Sequence, residues 1–285
     1  MCCRWRIWFV LLWVIALAAC SQGEKVITVD VLRVAVLPDQ SEAKLRQKYQ
    51  PLLDYLKSHL DMSVELLIPS SYKELMQWFE DKQVELALFG GVTYVKAHLE
   101  NKALPLVMRD VDGRFRSVVL VRADNPANSL EELRGASLAF GSRLSTIGHF
   151  MPRHFFQQFD IKPETYFGKI QYSGSHDLTA EWVRDGKVEV GVSHSGIVNE
   201  MFQDGSLTWD SVKVIWESPP VADYVWVVQP YLSKGLRIKI RDSFLRMNQD
   251  PANRILLQSL GANYYIPVVT DDFRVLEQVI LEMGQ

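Results

Sequence analysis

The sequence predicts an α/β fold of two lobes, each a mostly parallel sheet flanked by helices, joined by a double-strand hinge. Short apolar segments typical of buried strands alternate with amphipathic segments typical of helices along most of the chain, and this alternation indicates βαβ units. The alternation forms two series. Strand-like segments at 115–121 and 224–228 lie where one series passes into the other. Two crossing strands of this kind predict a hinge, with a ligand cleft between the lobes.

The first series predicts three strands, each followed by a helix. The longest helix carries Leu45, Leu52 and Leu56 at helical spacing, and Pro51 inside it predicts a kink. The predicted strands are 32–37, 64–68 and 84–89, and the predicted helices are 42–60, 71–81 and 92–100.

The second series opens with the strand at 115–121, after the turn-like Asp112-Gly113. The chain returns through the strand at 224–228, and the tail from 232 to 285 is predicted to be mainly helical. Lobe one therefore comprises residues 31–115 and 225–285, and lobe two comprises residues 116–224. Further strands are predicted at 137–140, 168–172, 188–192 and 212–216, with helices at 129–134, 148–159, 176–185 and 196–203.

A basic pair and an apolar stretch open the chain. Arg4 and Arg6 precede the uncharged segment 7–19, which is too short to span a bilayer comfortably but suits a signal-peptide core. The segment ends in Leu-Ala-Ala followed by Cys20. This ending resembles the lipobox of bacterial lipoproteins, and an ordinary secretory signal is the alternative.

The lipobox implies a signal peptide over 1–19, a lipid on Cys20 and a tether over 20–30. The protein would then be anchored on the periplasmic side of the cell envelope. Ser21 stands where an aspartate is associated with retention in the inner membrane, so the outer membrane is favoured if the organism is Gram-negative.

Composition excludes several classes of function. The three cysteines stand at positions 2, 3 and 20, so the mature chain keeps one, and no disulfide is predicted. Lysine and arginine number 31 against 34 acidic residues, with no basic block, which argues against a nucleic-acid partner. The six histidines are scattered, so neither a metal nor another cofactor is expected.

The loop FGSRLSTIGH at 140–149 lies between a predicted strand and a predicted helix. Backbone N–H groups at a helix start, together with the hydroxyls of Ser145 and Thr146, suit an oxyanion. Gly148 lets the backbone approach a ligand closely. Plain capping of the helix by either hydroxyl explains the same residues equally well.

Other strand-to-helix junctions also carry candidate residues. His176 begins a predicted helix in lobe two, where it can donate to an anion or serve only as a capping or surface residue. Tyr72, Gly91 and Tyr94 lie just past strand ends in lobe one. Ligands bind beyond the carboxyl ends of strands in such sheets, so these residues are cleft candidates, with core packing the alternative for the tyrosines.

Two of these junctions carry a recognisable pattern: Ser-Thr-x-Gly-His after a strand, at 145–149, and a Ser-His-Asp helix start, at 175–177. With them the chain resembles the phosphonate-, phosphite- and phosphate-binding components of ABC importers, a branch of the type II periplasmic binding proteins. The resemblance covers nearly the whole mature chain, and its segments are 32–38, 69–72, 85–94, 129–140, 141–152 and 174–192.

The resemblance implies a set of residues around a tetrahedral oxyanion: Ser145, Thr146, the backbone amide of Ile147 and His176 from lobe two, with Tyr72 and Tyr94 from lobe one. It also places the carboxylate of Asp223 near the ligand. Gly91, Gly148 and His149 are further candidates. A carboxylate beside an anion is repulsive unless it shares a proton with the ligand or accepts a hydrogen bond from an amine.

Two departures bear on the substrate. Ile147 stands where the family often has a third serine, so one hydroxyl donor is missing. Val192-Ser193-His194-Ser195-Gly196 stands where phosphonate binders carry an acidic residue that meets an aminoalkyl tail. The sequence is therefore compatible with phosphite, phosphate or methylphosphonate and argues against an aminoethylphosphonate-like ligand.

The resemblance implies a monomeric binding protein, not an enzyme, that delivers its ligand to an ABC permease. A sensor that reports the ligand to a membrane signalling protein would use the same fold, and the sequence leaves that alternative open. An exported hydrolase using Ser145 or Ser195 is the remote alternative. No G-x-S-x-G nucleophile elbow supports it.

Overall fold

The computed structural model describes residues 29–283, so the predicted signal peptide, Cys20 and most of the tether lie outside the described residues. Two separate sheets organise this part of the chain. The predicted two-lobed α/β fold is confirmed. Within residues 29–283, no helix has the length and apolar character needed to cross a membrane.

The first sheet has six strands in the order β11-β4-β10-β3-β1-β2. Its core includes the fully buried Trp226 and the apolar faces of the surrounding helices. Pro51 lies within the first helix, which continues through it. The strands are β1 Val31–Val36, β2 Ser63–Leu67, β3 Leu86–Phe89, β4 Leu104–Arg109, β10 Val225–Val228 and β11 Tyr265–Pro267. The helices are α1 Glu42–Leu60, α2 Tyr72–Glu80, α3 Gly91–Asn101, α8 Lys234–Arg246, α9 Arg254–Ser259 and α10 Arg274–Glu282.

The second sheet has five strands in the order β7-β6-β8-β5-β9, with apolar clusters on its two faces. The helix predicted over 148–159 is divided into a wide turn at Thr146–Phe150, a short helix and a 3₁₀ turn at Gln157–Phe159. The strands are β5 Ser117–Arg122, β6 Ser137–Phe140, β7 Lys169–Tyr172, β8 Val190–His194 and β9 Val212–Glu217. The helices are α4 Met151–Phe156, α5 Pro163–Tyr166, α6 His176–Arg184 and α7 Ser195–Gln203.

Both sheets are mixed. Strands β1, β2 and β3 are parallel, as are β6, β7 and β8. The strands nearest the crossovers are antiparallel to their neighbours: β10 to β3 and β4, and β5 to β8 and β9. The prediction of parallel strands therefore holds only for the βαβ units. Strands β5 and β10 carry the chain from one lobe to the other without a preceding helix on the same sheet, so they can run antiparallel to their neighbours.

Two crossovers, at 110–116 and 218–224, join the lobes and run side by side. Phe115 and Val221 form an antiparallel bridge, with the Val221 amide donating to the Phe115 carbonyl at 2.8 Å. The Asp223 amide donates to the Asp112 carbonyl at 3.0 Å. This paired arrangement has the form of a hinge. The lobe boundaries at 115/116 and 224/225 stay a proposal.

The sequence did not predict β4 and β11. Pro105 interrupts the strand pattern in β4, and β11 is only three residues long at the edge of the sheet. Both pair with neighbours far away in the chain: β4 with β10, and β11 with β4. Such short or irregular strands depend on tertiary pairing more than on local pattern.

The lobes are closed on each other. The His176 amide donates to the Asp39 carbonyl at 2.9 Å, and the Ser41 amide donates to Asp177 Oδ2 at 2.8 Å. The Lys48 ammonium lies 2.9 Å from Glu200 Oε1 across the same gap. Direct backbone contacts of this kind make the cleft between the sheets a buried space.

Candidate ligand-binding site

The cleft is built from the carboxyl ends of parallel strands in both lobes. In lobe one, Asp39 follows β1, Tyr72 follows β2 and Gly91 follows β3. In lobe two, the 141–146 loop follows β6, and His176 follows β7. Because these strand ends face each other across the crossovers, residues distant in sequence share one buried polar region.

Ser145 lies at the centre of the lobe-two half. Its side chain is buried and its Oγ accepts a hydrogen bond from the Gly148 amide at 2.9 Å. The same Oγ lies 3.3 Å from His176 Nε2. Ser145 therefore caps the Thr146–Phe150 turn and also faces the cleft, so the two interpretations of the sequence are compatible.

Thr146 joins the lobes directly. Its Oγ1 accepts a hydrogen bond from the Val92 amide at 3.0 Å and also lies beside the Asp223 carboxyl. The side chain is 1% exposed. The Thr146 hydroxyl therefore contacts groups from both halves of the site.

Asp223 is a buried carboxyl with unusual titration. Burial raises its pKa to about 7, even though the Gly91 amide and the Thr146 hydroxyl favour the charged form. Its Oδ1 accepts from the Gly91 amide at 2.7 Å. Near neutral pH this group can therefore accept or donate a proton, which is what a protonated oxyanion requires of a neighbouring carboxyl.

His176 and Tyr72 present polar atoms with no protein partner. His176 Nδ1 and the Tyr72 hydroxyl are buried, and neither has a hydrogen-bond partner of good geometry within residues 29–283, although the Tyr72 hydroxyl lies near Ser145. Burial lowers the pKa of His176 to about 4 and raises the pKa of Tyr72, so both are neutral at physiological pH. Buried polar groups without partners are costly, and an oxyanion between the lobes would satisfy both.

Ile147 contributes through its backbone. Its side chain is fully buried, and its carbonyl accepts from the Ser117 hydroxyl at 2.7 Å. Among the described residues, none accepts a hydrogen bond from its backbone N–H. The amide thus remains a candidate donor, as the resemblance implies.

Two glycines permit the close packing of this region. A Cβ on Gly148 would lie 2.8 Å from His176 Cε1 and 3.0 Å from Ser145 Oγ. A Cβ on Gly91 would lie 2.5 Å from Leu276 Cδ2 and 3.3 Å from Thr146 Oγ1. Any larger residue would push apart the groups that form the site.

Tyr94 lies on the first turn of α3, on the same helix face as Gly91. Its ring packs edge-on against Phe273, with ring centres 4.9 Å apart, in the contact between α3 and the C-terminal helix α10. Its hydroxyl is buried and has no hydrogen-bond partner of good geometry within residues 29–283. The expectation that Tyr94 contacts the ligand stays a prediction.

His149 is directed away from the cleft. Its Nδ1 lies 2.9 Å from the Arg143 carbonyl, and its ring packs edge-on against Phe140 and Tyr172. Burial lowers its pKa to about 4. His149 is a packing residue of lobe two, and the prediction that it is a further ligand candidate is not supported by its position.

Three positions in the cleft were not predicted from the sequence: Asp39, Tyr224 and His194. The Tyr224 hydroxyl donates to Asp39, and burial raises the pKa of Asp39 to about 6. The His194 ring lies 5.4 Å from that of His176, measured between centroids. Asp39 could have been predicted from the sequence, because it follows strand β1 just as Tyr72 follows strand β2.

The tautomer of His194 follows from its contacts. Its Nδ1 accepts hydrogen bonds from the Gly196 and Ile197 amides at 3.0 and 3.4 Å, so the proton resides on Nε2. That Nε2 is buried and has no partner among the described residues. Burial lowers the pKa of His194, so the ring is a neutral donor.

The arrangement suits binding more than covalent chemistry. Ser145 Oγ lies near a His176 ring nitrogen, but within residues 29–283 no group orients the opposite nitrogen as a triad would require. Ser195 Oγ instead accepts from the Arg116 amide at 3.1 Å. The cleft offers fixed hydroxyl, imidazole and amide donors beside carboxyls of raised pKa.

Two lobes with paired crossovers and a polar cleft between facing strand ends define a solute-binding protein of the two-lobed, periplasmic kind. The chain matches the family described as "ABC transporter, phosphonate, periplasmic substrate-binding protein" over residues 34–273. It therefore belongs to that family, whose members are the binding components of ABC importers and not enzymes.

Two curated proteins show the same relationship in sequence. The chain is 25% identical over 262 residues to a probable ABC transporter phosphite-binding protein of Prochlorococcus marinus, which covers 87% of this chain and 88% of that protein. It is 25% identical over 228 residues to a phosphate-import protein of Mycolicibacterium smegmatis, which covers 75% and 71%.

Solved structures agree on the fold. The Prochlorococcus marinus protein in complex with methylphosphonate superposes with a TM-score of 0.83 at 24% identity, over 90% of this chain and 98% of that one. A binding protein of an ABC phosphonate transporter from Pseudomonas aeruginosa superposes with a TM-score of 0.84 at 18% identity, over 90% and 87%. These similarities establish the two-lobed architecture.

Proposed function

We propose that this protein captures a small phosphorus oxyanion in its interlobe cleft and delivers it to an ABC permease. The observation that carries the proposal is the set of buried donors without protein partners, on Tyr72, His176 and His194, around Ser145 and Thr146. Fixed, desolvated hydrogen bonds to a charged ligand are individually strong. These donors suit the oxygens of phosphite, phosphate and methylphosphonate.

The raised pKa of Asp223 favours a ligand that carries a proton. A phosphorus oxyanion near neutral pH holds an acidic proton that it can share with a carboxyl, whereas sulfate holds none. We therefore expect discrimination against sulfate above pH 7, where Asp223 no longer supplies the shared proton itself. Because His194 occupies part of the cleft wall where an acidic residue would be needed for an amine, aminoethylphosphonate should bind more weakly than methylphosphonate.

A thermal-shift panel tests the proposal with the chain from Ser21 onward, which keeps every described residue. Phosphate, phosphite, methylphosphonate, aminoethylphosphonate, sulfate and selenate are compared. A ligand at about 100 times its Kd stabilises by about 2.7 kcal/mol, which raises Tm by roughly 5–10 °C for a chain of this size. If no phosphorus oxyanion shifts Tm, the proposed substrate class is wrong.

Binding should also weaken as pH rises through 7. Burial raises the pKa of Asp223 to about 7, so this carboxyl is protonated below that pH and becomes a repulsive anion above it. The ratio of the wild-type Kd to the Asp223→Asn Kd should rise toward tenfold per pH unit above pH 7. The Kd values are compared above the second pKa of the ligand, where a single ligand form is present.

Isothermal titration calorimetry across this pH range measures both Kd values. Glu85→Gln is the matched control, because Glu85 is buried but pairs with Arg33 at the end of the sheet away from the cleft. A constant ratio of Kd values between wild type and Asp223→Asn would show that Asp223 does not face the ligand.

We further propose that the protein is a monomeric lipoprotein on the periplasmic side of the envelope. The lipobox-like sequence at Cys20 supports the anchor, and Ser21 favours the outer membrane in a Gram-negative cell. Replacing Cys20 with alanine should release the protein from carbonate-washed membranes. Carbonate-resistant membrane association of that variant, measured by fractionation and immunoblotting, would contradict the lipid anchor.

A further inference from the structure

A groove on lobe one lies between the start of β4, helix α8 and the segment that follows β11. It has a volume of about 390 Å³. Three cationic side chains of helix α8 line one wall, Lys234, Arg237 and Arg241. Leu104, Pro105 and Val268 contribute to an apolar wall, so the groove combines positive charge with apolar surface.

Helix α8 is unusually basic for this chain. Its sequence KGLRIKIRDSFLR holds five basic residues and one acidic residue, although the whole chain has a net charge of −3. The single carboxylate, Asp242, lies 3.0 Å from Arg241 and neutralises it in part. Lys234 and Arg237 have no carboxylate within ion-pair distance among the described residues.

Arg237 supplies an independent sign of a missing partner. Its Nε is buried, and no residue of 29–283 accepts a hydrogen bond from it. Asp272 follows the lining residues Val269 and Thr270, and its carboxylate accepts a hydrogen bond from the Val269 amide at 2.9 Å. Lys234 and the Nε of Arg237 are therefore available to bind an anion.

The groove lies at the pole of lobe one opposite the cleft. Val228 ends β10 level with Leu86 at the start of β3, and Leu104 at the start of β4 pairs with Val228. Strand β1 also begins at this end of the sheet, at Val31. The described part of the chain therefore begins at the same pole that carries Lys234.

Apolar residues are exposed along the rim. Ile238 is 38% exposed and Val269 is 63% exposed. Basic side chains beside exposed aliphatic ones are the composition of surfaces that bind anionic bilayers. A surface of this kind would lie next to the membrane if the chain is tethered through Cys20.

We propose that the α8 groove docks on the surface of an anionic membrane. Lys234, Arg237 and Arg241 would bind the phosphate of an acidic phospholipid, while Ile238 and Val269 enter the interface. The cleft would then point away from the anchoring membrane. The proposal uses the tether only to orient the protein, and it does not depend on which oxyanion the cleft binds.

Vesicle flotation with the unlipidated chain from Ser21 onward tests this proposal. Neutral phosphatidylcholine vesicles are compared with vesicles in which about a third of the lipid is phosphatidylglycerol. We expect binding to the anionic vesicles alone, and a decline in binding as salt is raised. The Arg237→Gln/Arg241→Gln variant should reduce the partition coefficient at least about tenfold.

The matched control removes the same charge from lobe two. Arg122 and Arg184 form surface pairs with Asp124 and Asp185, and Arg122→Gln/Arg184→Gln should leave vesicle binding within about twofold of wild type. Unchanged Tm and an unchanged oxyanion shift in both variants confirm that each is folded. Equal binding to neutral and anionic vesicles, or equal losses in the two variants, would overturn the proposal without affecting the cleft.

Discussion

Replacing Arg109 with methionine should lower the free energy of unfolding by about 3–5 kcal/mol. The guanidinium is buried beside the first crossover, where its Nε donates to Asp112 Oδ1 at 2.9 Å and its Nη1 donates to the Leu260 carbonyl at 2.7 Å. It also lies over the rings of Phe115 and Tyr224, 5.6 and 5.3 Å from their centroids. Removing it leaves Asp112 buried, charged and without its cation.

The chain provides an exposed pair for comparison. Arg122 and Asp124 make a similar two-point contact, but their side chains are 47% and 68% exposed, against 10% and 2% for Arg109 and Asp112. Arg122→Met should therefore cost less than about 1 kcal/mol. Urea titrations of both variants measure the difference.

A double variant separates the loss of the cation from the loss of packing. Arg109→Met combined with Asp112→Leu should recover part of the stability lost in Arg109→Met, because no buried charge is then left unpaired. If the exposed and buried arginine variants lose the same stability, the pair does not organise the crossover as the structure indicates.

Replacing Ser145 with alanine should weaken oxyanion binding by about 1.5–3 kcal/mol, or roughly 10–150-fold in Kd. The hydroxyl lies 3.3 Å from His176 Nε2 at the centre of the donor set, where a hydrogen bond to a charged ligand is at its strongest. Thr146→Ala should have an effect of the same order. Calorimetry with the oxyanion that gives the largest thermal shift measures both.

Ser145 also caps a turn, so stability and binding must be measured separately. Losing the hydrogen bond from the Gly148 amide should cost about 1 kcal/mol of folding free energy. Ser211→Ala is the control, because the Ser211 hydroxyl bonds only to the Thr208 backbone, far from the cleft. A Ser145 variant with lower Tm and an unaltered Kd would assign this serine to capping alone.

The residues at strand ends were predictable because two rules act on sequence alone. Hydrophobic periodicity locates each strand and helix, and the carboxyl-end rule assigns the junctions between them to the cleft. Ser145, Thr146 and His176 were found in this way, and Tyr72 with them. Asp223 required the family resemblance, because it precedes a strand whose direction the local pattern does not reveal.

Side-chain direction was not predictable from position. The ring of His149, four residues after Ser145, packs against Phe140, and its Nδ1 lies 2.9 Å from the Arg143 carbonyl. Residues three or four positions apart share a helix face, so spacing alone does not decide which group each side chain meets. The face that a given residue presents therefore depends on which distant element covers it.

The sequence by itself determined the two α/β series, the positions of the crossovers and the loops that carry most of the candidate donors, because all of these follow from local periodicity and from glycine, serine and proline at junctions. The tertiary structure alone decided which donors meet. It placed Asp39, Tyr224 and His194 in the site, and it buried Asp223 deeply enough to raise its pKa to about 7. The burial of a residue and the contacts between lobes depend on residues far apart in the chain, so they cannot be predicted from a local sequence pattern.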